Sequence, residues 1–112
     1  GRAQPELLLH MLAILSKRLR HFVDLVDDLA LKEVGARLAR HLLELSANAA
    51  NADTVHLESS KAMLASRLGT IAETLSRSLA RLQHAGTISV QARTITLLDR
   101  DALEALAAGE TR

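Results

Sequence analysis

Glu73, Ser76 and Arg77 place three hydrogen-bonding chemistries within five residues. An arginine fork fits guanine O6 and N7, a carboxylate accepts from cytosine N4, and a serine hydroxyl serves either a base edge or a phosphate. At about 100° per helical residue, Glu73, Arg77, Ala80 and His84 fall opposite Ile71, Leu75, Leu79 and Leu82, with Ser76 on the flank. Such a face can enter the major groove of duplex DNA. Ser60, Lys61, Thr74, Arg81, His84 and Arg93 are expected to hold phosphates around it. Plainer readings stay open: Glu73 as part of a helix cap, Arg77 as a solvated arginine, Ser76 with no role of its own.

These side chains need a stage, and the stretch "SRLGTIAETLSRSLARL" supplies one. A glycine inside a helix costs about 1 kcal/mol relative to alanine, so Gly69 reads as a turn. Ser59 or Ser60 caps a short helix with Leu64, Ala65 and Leu68 inside. Thr70 then caps a recognition helix over 71–84, and Glu73 three residues on completes a capping box. Small Ala65 allows the two helices to cross closely, as in a helix-turn-helix. Past Gly86, "TISV" and "TITL" alternate as two strands about Gln91, Ala92 and Arg93, and "DRDALEALAAG" forms a closing helix ended by Gly109. A strand pair behind a recognition helix is a wing.

Upstream, Leu8, Leu12, Leu15, Leu19, Phe22, Val26 and Leu29 alternate at spacings of four and three. This a/d pattern predicts a coiled-coil seam, and no other segment carries matching heptads, so the expected partner is a second copy in a parallel homodimer. A long helix packed on its own domain is the alternative. Leu7, Met11 and Ile14 add a second apolar stripe that a two-stranded seam leaves uncovered. Beyond Asp27 and Asp28 a second helical pattern runs through Leu31, Val34, Leu38, Leu42 and Leu45 to about Ser46, with Arg37, Arg40 and His41 on its polar side. "SANAANAD" reads as a loop and "TVHLE" as a short strand. The expected organisation is a dimerisation helix over 1–29 and a winged helix-turn-helix domain over 30–112, mainly α with a small β-wing.

Composition narrows the function classes. With no cysteine, the 112 residues lack disulfides, thiolate metal sites and a cysteine nucleophile, which fits the reducing cytoplasm. Phe22 is the one aromatic among Phe, Trp and Tyr, which argues against stacking platforms for single-stranded bases. The net charge of +1 hides a division: residues 60–98 hold Lys61, Arg67, Arg77, Arg81 and Arg93 against Glu73, or +4, leaving −3 elsewhere. A local basic excess is the footprint of a duplex-binding face. Apolar runs are short and interrupted by Lys17, Arg18 and Arg20, so no membrane partner is expected. The histidines at 10, 21, 41, 56 and 84 contain no i, i+4 pair, so no metal site is expected, and no context assembles a nucleophile, base and acid, so no enzyme is expected.

In register across "LALKEVGARLARHLLELS", "SKAMLASRLGTIAETLSRSLARL", the wing and "DALEALAAG", the chain resembles the carboxy-terminal half of the CRP/FNR superfamily of bacterial transcription regulators. Glu73, Thr74, Leu75, Ser76 and Arg77 match the E-T-x-S-R motif of the FNR-like branch. The resemblance implies a homodimer reading an inverted-repeat, TTGA-like operator, with Glu73, Ser76 and Arg77 on the bases. It implies that the loop Asn48 to Asp53 touches RNA polymerase, and that an amino-terminal sensor barrel packs on Leu7, Met11 and Ile14. No cofactor is expected within these residues; any effector belongs to the barrel. Phe22 and Val23 stand where the cyclic-nucleotide branch has hydroxyl side chains, so cyclic AMP is not the expected effector. Ser78 replaces a usual apolar residue, and the wing tip lacks the usual glycine. The rival is a coiled-coil interaction module that does not bind DNA.

Overall fold

A computed structural model describes residues 3–109. Its first element, α1, runs without interruption over Ala3–Asn48. The change of pattern at Asp27 and Asp28 is therefore not a break, because aspartate side chains on a helix surface leave the backbone ladder intact. The chain divides into two compact units, one ending at Ala30 and the other beginning at Leu31. In the first, every large apolar side chain of the heptad series is exposed, Leu19 by 65% and Phe22 by 61%.

The second unit holds the core. The strand β1 (Thr54–His56), the short helix α2 (Lys61–Arg67), the helix α3 (Ala72–His84), the strands β2 (Ile88–Gln91) and β3 (Thr94–Leu97), and the helix α4 (Arg100–Ala107) follow in order. The strands form one antiparallel sheet in the order β1-β3-β2, with Val55 opposite Ile95 and Val90 opposite the same residue from the other side. Leu38 and Leu42 of α1, Leu64 of α2, Leu75 of α3, Ile88, Ile95 and Leu103 are all essentially sealed from solvent and make one cluster. At about 25 cal/mol per Å² of apolar surface removed from water, these contacts supply the main drive for folding of this unit.

Helix ends follow local rules. Ser60 caps α2 by accepting from the Met63 amide at 3.3 Å, and Asp99 caps α4 by accepting from the Ala102 amide at 3.0 Å. At the other end of α2, Gly69 adopts φ +73°, the Thr70 amide donates to the Ala65 carbonyl, and the Gly69 amide donates to that of Ser66. This is a Schellman cap, and it needs a residue free to take left-handed φ. The helix α1 ends with the same outer bond, Asn51 amide to Ser46 carbonyl at 2.8 Å, but with Ala50 in the left-handed position at φ 59°.

Candidate nucleic-acid interface

The turn between α2 and α3 differs from its expected form. Thr70 does not cap α3: the helix begins at Ala72, so Thr70 stands one residue before the N-cap, and its amide closes α2 instead. Two residues pass before α3 begins, Ile71 is its N-cap, and no side chain accepts from its first turn. The capping box is absent, so Glu73 has no capping partner. Ile71, expected in the core at the start of a recognition helix over 71–84, is instead 64% exposed, since it lies outside the helical phase.

From Ala72 onward α3 is strongly two-faced. Leu75, Ser78, Leu79 and Leu82 are buried, while Glu73, Ser76, Arg77, Ala80, Arg81 and His84 are exposed. The structure thus brings Glu73, Ser76 and Arg77 onto the outer face of one helix. Ser78 is 2% exposed and lies against Gly35 of α1, where an added Cβ would stand 3.8 Å from its hydroxyl oxygen. A small side chain at 78 therefore suits a close crossing of α1 and α3.

Around this face, Lys61, Arg81, His84 and Arg93 are exposed, and Ser60 and Thr74 are half-buried. Ser60 Oγ accepts from Met63 as the cap of α2, so its hydroxyl proton is still available for donation. Arg93 sits at the tip of the β2–β3 hairpin beside Ala92, which holds φ 54° where glycine is more usual. The two arms of the wing are fixed from below: the amides of Leu98 and Asp99 both donate to the Thr87 carbonyl, at 3.0 and 3.1 Å.

Three arginines that stand outside this face organise it. Arg37 of α1 donates from Nη1 to the Leu68 carbonyl at 2.9 Å, reaching across to the end of α2, and lies 4.0 Å from Glu33. An added Cβ on Gly69 would come within 3.1 Å of the same Nη1, closer than ordinary contact, so the arginine tip would have to give way. Arg40 donates to the Ala107 carbonyl at 2.8 Å and ties α1 to the end of α4. Arg100 fans out at the start of α4 to Ser46 Oγ, the carbonyls of Asn51 and Ala52, and Asp53 Oδ1. Sequence periodicity puts Arg37 and Arg40 on a polar face and is blind to these carbonyl partners, which lie 31 and 67 residues away.

Comparison with known proteins gives a consistent picture. Residues 36–106 match the Crp-like helix-turn-helix domain. The fumarate and nitrate reduction regulatory protein of Salmonella typhimurium is 32% identical over 112 residues, which is 96% of this chain and 44% of that protein. The chain thus spans less than half the length of the curated relatives it matches. Among solved structures, DNR from Pseudomonas aeruginosa superimposes with a TM-score of 0.68 at 38% identity, over 85% of this chain and 42% of that one. The catabolite activator protein of Thermus thermophilus gives a TM-score of 0.70 at 27% identity, over 98% of this chain and 50% of that one.

Proposed function

Because the chain belongs to the CRP/FNR family of transcription regulators, we propose that it binds an inverted-repeat, TTGA-like operator as a homodimer with α3 in the major groove. The observation that carries this reading is the joint exposure of Glu73, Ser76 and Arg77 on a helix whose other face is core. Arg77 reads guanine through its fork, Glu73 accepts from cytosine N4 on the facing strand, and Ser76 meets a neighbouring thymine or phosphate. Ser60, Lys61, Thr74, Arg81, His84 and Arg93 hold the sugar–phosphate backbone and set the register without reading sequence.

Dimerisation runs through Leu8, Leu12, Leu15, Leu19, Phe22, Val26 and Leu29, whose exposure in the single chain supports a second copy as cover. The two recognition helices then address half-sites about 34–36 Å apart, one helical turn of DNA. The turn Asn48 to Asp53 is the surface offered to RNA polymerase. The setting is the cytoplasm; among the described residues no helix is long and apolar enough to cross a membrane.

The test is selection of binding sites from randomised duplex, paired with a salt titration. Arg77→Ala is expected to cost about 1–3 kcal/mol and to lose preference at one base pair. Lys61→Ala is expected to weaken all sequences alike and to reduce the slope of log affinity against log salt by about 1. If the Arg77 variant still selects the same guanine, the base assignment is wrong. A wild-type chain that retards no duplex at low salt is a coiled-coil interaction module instead.

A further inference from the structure

The connection between α1 and β1 is built with more constraint than joining a helix to a strand requires. Two successive non-glycine residues, Ala50 at φ 59° and Asn51 at φ 61°, hold left-handed backbone. Side chains disfavour that region, and it persists only where surrounding contacts over-determine it. Those contacts converge from elsewhere in the fold. Ser46, fully buried, donates from Oγ to the Ala52 carbonyl at 2.6 Å. Arg100 Nη2 reaches Ser46 Oγ at 2.7 Å, the Asn51 carbonyl at 2.8 Å, the Ala52 carbonyl at 3.0 Å and Asp53 Oδ1 at 3.2 Å. The Leu97 amide of β3 also donates to the Asp53 carbonyl at 2.6 Å. Meanwhile Asn48, Ala49, Ala50 and Asn51 face solvent. The backbone is fixed from behind, and its outer side is left bare.

We propose that Arg100 is a positioning residue that presets the turn 48–53 as a rigid contact surface, so that a partner meets one backbone shape and pays little ordering entropy on binding. A guanidinium is suited to this role because Nε and Nη2 together meet Asp53 Oδ1 while the two Nη2 protons are shared among Ser46 Oγ and the two carbonyls, and charge-assisted bonds to carbonyls are among the stronger ones in a protein. A lysine keeps the charge but not the fork. Because Arg100 begins α4 directly after β3, the same residue ties the turn to the strand that forms one arm of the wing. The inference rests on the reading of this turn as the surface that meets RNA polymerase.

The experiment uses the full chain on operator DNA and three readouts: amide exchange at Asn51 and at Leu42, operator affinity, and capture of RNA polymerase holoenzyme by the chain–operator complex. Arg100→Ala is expected to speed exchange at Asn51 at least about tenfold, with Leu42 unchanged, operator affinity within about twofold, and polymerase capture reduced about fivefold or more. Arg100→Lys should fall between the variant and the parent. If Arg100→Ala also loosens Leu42, Arg100→Lys and Ser46→Ala carry the same comparison in an intact core. Unchanged exchange at Asn51 overturns the proposal. So does unchanged capture by the Arg100 variants when replacement of Ala49 to Asn51 by glycine does lower capture. If that glycine replacement also leaves capture alone, the polymerase reading of the turn is itself wrong, and the role of Arg100 falls with it.

Discussion

His41 sits where a proton is costly. Its ring is partly buried beside β1 and α2, and this desolvation lowers its pKa below 6.5; Arg67 pushes in the same direction and Glu44 opposes it. His56 and Glu58 line the same cleft. The folded protein therefore favours neutral imidazole, while the unfolded chain takes up a proton at 6.5. Stability from this site is present above 6.5 and is lost as pH falls through the lower folded value. His41→Gln should give a flatter stability profile below pH 6.5 than the parent, as measured by urea unfolding at a series of pH values; an unchanged slope would assign the acid response elsewhere. At this scale the exposed trio of α3 was readable from helical periodicity alone, because Glu73, Ser76 and Arg77 owe their placement to neighbours three and four residues away. The roles of Arg37, Arg40 and Arg100 were not, since each is defined by carbonyls 31 to 67 residues distant.

Among the elements, the difference between legible and hidden features comes down to which residue occupies a left-handed position. Gly69 announced its turn, and α2 does end there. The turns at Ala50 and Ala92 are marked by their neighbours, but the left-handed backbone of the two alanines is not, because alanine carries no signal for positive φ. The same chemistry yields opposite predictions at two helix ends. Ala50→Gly relieves a strained cap and should raise stability by about 0.5–1 kcal/mol, partly offset by the freer unfolded chain. Gly69→Ala adds a strained φ and presses a methyl toward Arg37 Nη1, 3.1 Å away, and should cost about 1–2 kcal/mol. Thermal unfolding of the two variants decides the matter, and a shift of the same sign in both would contradict the backbone argument. The failed capping box has an equally local cause. Thr70 stands one residue before the N-cap Ile71, out of register for the first turn of α3, while its amide closes α2 on the Ala65 carbonyl.

For the whole molecule, the heptad series stands exposed on the first unit, and the core is confined to the second. If the series is the dimer seam, Leu12→Glu combined with Leu19→Glu should leave a monomer by sedimentation and lower operator affinity about tenfold or more. Leu9→Glu, equally exposed but off the a/d spacing, should remain dimeric. A dimer that survives the double change would place the seam on another stripe. The strand order has a consequence of a different kind. Since β3 is the middle strand, β1 and β2 have no sheet partner until it exists, and about forty residues separate Thr54 from Thr94. During synthesis, then, the helix pair emerges from the ribosome with its floor missing. The sheet can be completed only when the local β2–β3 hairpin has followed and meets β1 along the free edge of β3.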